Sequence, residues 1–97
     1  MTSISPKLTR TFIISNKKGL HARASAKFVQ TVNRFNAEVI VTCREESVNG
    51  SSIMELLTLA AVYNTSIQVS AFGHEAEACL EALSHLIKSG FFEELVG

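Results

Sequence analysis

The sequence predicts an α+β open-faced sandwich, a β-sheet covered on one face by three helices. Three observations predict it. Candidate elements follow one another as β-α-β-β-α-β-α. The strand candidates alternate apolar and polar residues, as half-buried strands do. The two longer helix candidates each carry one apolar stripe. Half-buried alternation suits an antiparallel or mixed sheet with helices on one side. The chain has 97 residues, enough for one domain. No internal repeat or low-complexity segment divides it. Residues 1–9 read as a loose polar N-terminal segment, 10–90 as the folded domain, and 91–97 as a C-terminal tail.

Arg10 to Ser15 (RTFIIS) is β-branched and aromatic and reads as the first strand. Asn16-Lys17-Lys18-Gly19 is a turn. From Ala22 to about Arg34, Ala22, Ala26, Val29 and Val32 recur at helical spacing, with Phe28 beside them. Ala37 to Cys43 places Val39 and Val41 on one face of a second strand, and Glu45–Val48 forms a short third. After Asn49-Gly50, Ser51 and Ser52 are N-cap candidates, and Ser52 with Glu55 matches a capping box. A short helix is expected over 53–61. Thr65 to Phe72 alternates as the fourth strand. A third helix over 75–88 carries Ala76, Cys79, Leu80, Leu83, Leu86 and Ile87 on one stripe, and Gly90 stops it. Tyr63 and Asn64 suit a turn.

Composition excludes several classes. Nine basic residues offset nine acidic ones, so the basic excess of a nucleic-acid binder is missing. No apolar run reaches membrane-span length. The N-terminus MTSISPKLTR lacks the apolar core of a signal peptide. There is no Asp, which excludes a phospho-aspartate site. Cys43 and Cys79 form no metal-type pair and read as free thiols of the reducing cytosol. The reading is a cytoplasmic protein without metal or cofactor.

The informative segment is Lys17-Lys18-Gly19-Leu20-His21-Ala22-Arg23, where a loop enters a helix. His21 falls at or near the N-cap. The first amides of a helix have no internal partner, and the dipole puts partial positive charge there. An anion is favoured at such a place. A phosphoryl group on the imidazole would meet the amides of Ala22 and Arg23, and the Arg23 side chain would add a charge-assisted contact. The same positive end favours the neutral ring, whose lone pair can attack phosphorus. Gly19 lets the loop turn, and Lys17 and Lys18 add a field that salt limits in reach.

The sequence resembles the HPr family of histidine-containing phosphocarriers. The resemblance rests on Gly19-Leu20-His21-Ala22-Arg23, on Ala26-Lys27-Phe28-Val29, and on Ser52-Ile53-Met54 with Leu56, Leu57 and Leu59, in register over roughly residues 10–90. It implies four antiparallel strands under three helices. It further implies that Nδ1 of His21 takes a phosphoryl group from phospho-enzyme I and passes it to an IIA-type protein, a stoichiometric carrier rather than an enzyme. It assigns phosphoryl stabilisation to Arg23 and, as in part of the family, regulatory phosphorylation to Ser52 by an HPr kinase/phosphorylase. A phosphate at Ser52 would sit at a helix start, and its charge would repel an acidic partner docking there. Ile53, Met54 and Leu57 would form the apolar part of that docking face. The carrier is expected to act as a monomer, without nucleic acid or membrane.

Three positions depart from the family pattern. Ala24 stands where Pro is common, restoring an amide near the anion site. Ser25 and Glu55 stand where small apolar residues or Gly are usual, and Glu55 puts a negative charge on the docking face. His74, expected at the start of the third helix, lacks a following Arg. His85 reads as a surface side chain. Two other classes compete. A hydrolase would use His21 and His74 as acid and base across one cleft. An RNA-binding domain would need more sheet aromatics than Phe12 and Phe72.

Overall fold

Ile67, Val69 and Ala71 are buried, while Ser66 and Gln68, which alternate with them, are exposed. The same two-residue period puts Phe12 inside and Thr11 outside, and Val39 and Val41 inside with Glu38 outside. In the computed structural model, which describes residues 7–93, these segments pair into one sheet. Its strands are β1 (Leu8–Ile13), β2 (Glu38–Cys43), β3 (Glu46–Asn49) and β4 (Ser66–Phe72). The order is β1-β4-β2-β3 and every pairing is antiparallel. Phe12 lies opposite Ile67, and Val41 lies between Val69 and Val48, so the apolar face is continuous across all four strands. The opposite face is mostly polar, with Ile13, Ile40 and Phe72 as its apolar side chains. There Thr9 bonds Ser70 at 2.9 Å and Thr42 bonds Ser47 at 2.7 Å.

The helices α1 (Ala22–Val32), α2 (Ile53–Thr58) and α3 (Ala76–Lys88) cover the apolar face, and a single 3₁₀ turn, Gly90–Phe92, follows α3. The expected stripe on α3 is buried throughout. On α1 the buried face is rotated from the expected one. It comprises Ala24, Ser25, Phe28, Val29, Thr31 and Val32, while Ala22 is exposed and Ala26 only half-buried. Phe28 sets that rotation because its ring is fully buried. Ser25 tolerates the interior because its hydroxyl donates to Leu20 O at 3.1 Å.

Other boundaries shift. Leu8 and Thr9, assigned from sequence to the loose N-terminal segment, pair with Ala71 and Ser70, so the strand begins earlier than Arg10. Residues 1–6 lie outside the described residues. Helix α2 ends at Thr58 rather than 61. His74 lies in the turn before α3, whose N-cap is Glu75. The first residues of the expected tail join the body: Phe91 is fully buried, and the Lys27 ammonium donates to Phe91 O at 2.6 Å, while residues 94–97 lie outside the described residues. Truncating a buried ring of this kind costs roughly 3–5 kcal/mol.

Candidate functional site

Four linked hydrogen bonds place His21. Within the 16–19 turn the Gly19 N–H donates to Asn16 O at 3.1 Å, and Asn16 Nδ2 donates back to Gly19 O at 2.8 Å. Leu20 N–H donates to Ala61 O at 2.9 Å, anchoring the loop to the segment after α2. Ser25 N–H donates to His21 O at 2.8 Å, the first helical bond of α1. Gly19 is required by conformation and by space. Its φ is +67°, and a Cβ there would lie 2.4 Å from Ala61 O and 2.9 Å from Val62 Cα.

His21 is therefore the N-cap of α1, with extended backbone (φ −75°, ψ −177°). Its ring replaces the usual hydroxyl or carboxylate cap. Nδ1 accepts the Arg23 N–H at 3.2 Å, and Nε2 lies 2.6 Å from Glu93 Oε2. These contacts define the neutral tautomer: Nε2 carries the proton and donates to the carboxylate, while Nδ1 keeps its lone pair towards the helix start. Asn16 Nδ2 also donates to Glu93 Oε2, at 3.2 Å. Burial alone would raise the Glu93 carboxyl. The hydrogen bonds from His21 and Asn16, with the fields of His21 and Lys18, outweigh it and hold the carboxyl below its ordinary range.

The His21 side chain is 27% exposed, so the ring is reachable. It opens into a cleft of about 790 Å³ lined by Lys18, Ala22, Arg23, Lys27, Phe92 and Glu93. Three cations against one carboxylate make the cleft receptive to an anion. Arg23 is exposed, and its guanidinium has no hydrogen-bond or ion-pair partner among the described residues. The cleft thus brings together His21, Ala22 and Arg23, the residues the sequence singled out. It adds Lys18, from the expected lysine pair, and Lys27 and Glu93, which sequence reasoning had not placed there; Asn16 stands behind the cleft, donating to Glu93. Glu93 is 72 residues from His21, and the burial of Phe91, with the bonds from Lys27 and Asn16, brings it back.

Ser52 caps α2, accepting the Glu55 N–H at 3.1 Å. The reciprocal half of the expected box differs. Glu55 Oε1 accepts from Asn49 N–H at 3.0 Å, because the Ser52 amide is already used on Asn49 O. Ile53, Met54 and Leu57 are exposed, Met54 at 75%. Leu56 and Leu59 are the members of this segment that enter the core. His74 is exposed and lines no part of the His21 cleft. The two-histidine hydrolase reading therefore lacks its shared cleft. His85 is exposed on α3 with its ring 5.5 Å from that of Phe92. Among the described residues no cluster suits a metal ion and no helix is long and apolar enough to cross a membrane.

An antiparallel sheet under three helices, with a reachable histidine capping the first of them, is the architecture of a histidine phosphocarrier. A family model described as the PTS HPr component phosphorylation site matches residues 8–89. The phosphocarrier protein HPr of Neisseria meningitidis is 46% identical over 90% of this chain and 97% of its own length. A crystal structure of HPr from Thermoanaerobacter tengcongensis superposes with a TM-score of 0.87 at 40% identity, over 91% of this chain and 99% of that one. A stretch amounting to 17% of the multiphosphoryl transfer protein of Haemophilus influenzae is 35% identical over 84% of this chain. The chain belongs to the HPr family of phosphocarriers of the phosphotransferase system.

Proposed function

We propose that His21 accepts a phosphoryl group on Nδ1 from phospho-enzyme I and passes it to an IIA-type protein. The observation that carries this reading is the division of labour between the ring nitrogens. Nε2 is committed to Glu93 at 2.6 Å, and Nδ1 faces the first amides of α1. Nδ1 attacks phosphorus and the bond to the donor breaks. The Arg23 amide then turns from Nδ1 to a phosphoryl oxygen, joined by the Ala22 amide, in the field of the helix start. Arg23, which lines the cleft, supplies its guanidinium to the same oxygens. The protein is consumed and regenerated in the relay as a monomer, which sedimentation checks.

Ser52 is the second modification point of this reading. Its hydroxyl stands beside the exposed Ile53, Met54 and Leu57, the apolar face on which partners dock. Phosphate there brings about two negative charges to that face and opposes an acidic partner. Incubation with enzyme I and phosphoenolpyruvate is expected to add one acid-labile phosphate per chain. His21→Ala should abolish it and His74→Ala should leave it intact; labelling that survives His21→Ala refutes the assignment. Arg23→Ala should slow transfer in a protein that still folds. With ATP and an HPr kinase, Ser52→Ala should remain unlabelled, and labelling equal to wild type removes Ser52.

A further inference from the structure

We infer that Glu93 is a positioning residue for phosphoryl transfer: its carboxylate holds the proton on His21 Nε2 so that the phosphorylated ring stays a competent donor. The inference rests on the assignment of phosphorylation to His21 Nδ1. Glu93 lies beyond the residues 8–89 matched by the family model, so that match does not speak for it.

When Nδ1 attacks, its electron pair forms the N–P bond and the donor's bond to phosphorus breaks, with that electron pair leaving on the donor. The ring retains its Nε2 proton and becomes a phosphoimidazolium. On onward transfer the N–P pair returns to Nδ1 and the leaving group is neutral imidazole. If Nε2 lost its proton first, the leaving group would be an imidazolate, a far poorer one. A carboxylate on Nε2–H opposes that loss by stabilising the cationic ring.

The charges facing the ring make this contribution necessary. Lys18 from the turn and Arg23 and Lys27 from α1 line the same cleft, and each disfavours a positive ring. Glu93 is the one carboxylate among the described residues lining it. Its position is built from several directions. Phe91 is fully buried, Lys27 holds Phe91 O at 2.6 Å, and the buried Asn16 donates to Glu93 at 3.2 Å.

The test is the pH dependence of the phosphorylated protein. Wild type and Glu93→Gln, an isosteric change that keeps the tail packed, are labelled with enzyme I and phosphoenolpyruvate. The ³¹P resonance of the phosphohistidine is then followed against pH. The midpoint for losing the Nε2 proton is expected to fall by about one pH unit or more in Glu93→Gln, with transfer slowed roughly tenfold above the new midpoint. A purely structural role would change the melting temperature and leave the midpoint in place, which overturns the inference. In the unphosphorylated wild type the His21 proton should reside on Nε2 by ¹⁵N NMR; a proton on Nδ1 also overturns it. Failure of both proteins to take phosphate at His21 defeats the phosphocarrier assignment itself, a distinguishable outcome.

Discussion

Replacing Gly19 by Ala tests how the loop delivers His21. The backbone at Gly19 has φ +67°, and a left-handed conformation costs an L-residue roughly 1–2 kcal/mol. Space adds to that. The new Cβ would sit 2.4 Å from Ala61 O and 2.9 Å from Val62 Cα, both backbone atoms that cannot rotate away. The 59–62 segment must retreat, which strains the Leu20–Ala61 hydrogen bond, worth about 1 kcal/mol. Together these give a loss of about 2–4 kcal/mol, a large share of the stability of a domain this size. Urea unfolding should show a lower midpoint with an unchanged slope. Phosphoryl uptake at His21 should slow in the fraction that stays folded, because the ring shifts with Leu20. A loss below about 1 kcal/mol with normal uptake would refute the reasoning, since the loop would then accommodate the methyl freely.

Four further predictions follow from the geometry. Glu45 has φ +74° in the two-residue Arg44-Glu45 loop between β2 and β3, so Glu45→Gly should stabilise the fold by about 0.5 kcal/mol in urea titration. Ser52→Ala removes the cap on the Glu55 amide and should cost about 1 kcal/mol, read by the same titration. Cys43 and Cys79 are buried, and burial, with Glu75 and against Arg34, pushes the Cys79 thiol up to about 11; neither should react with a thiol reagent at pH 8 until denaturant exposes both. The Glu93 carboxyl is held below its ordinary range, so its stabilisation is present above the unfolded-state value and is lost as pH falls through the folded one. Acid titration of stability should therefore be shallower in Glu93→Gln than in wild type.

Much of this was legible in the sequence where a local rule and the tertiary environment agree. The period-2 strands and the α3 stripe are such cases, because one buried face dictates each. Gly19-Leu20-His21-Ala22-Arg23 located the helix start and the reachable ring correctly. The rest depended on distant partners. The rotation of α1 follows from where Phe28 fits and from the bond that lets Ser25 be buried, neither of which helical spacing encodes. The Arg44-Glu45 turn has no Asn or Gly to announce it; the strands that flank it, and the Arg44 bond to Leu59 O at 2.8 Å, enforce it. Glu93 reaches His21 with Phe91 drawn into the core beside it, a packing event that a tail of mixed Phe and Glu does not reveal. Asn16 read as a turn residue, yet its amide also anchors that carboxylate.

The most direct measurement is the identity of the nitrogen bonded to phosphorus in the labelled protein, read from ¹⁵N–³¹P coupling on His21. The ring with Nε2 engaged at 2.6 Å and Nδ1 turned to the amides of α1 predicts coupling to Nδ1 alone. Phosphorus on Nε2, or on any other residue, would contradict the account.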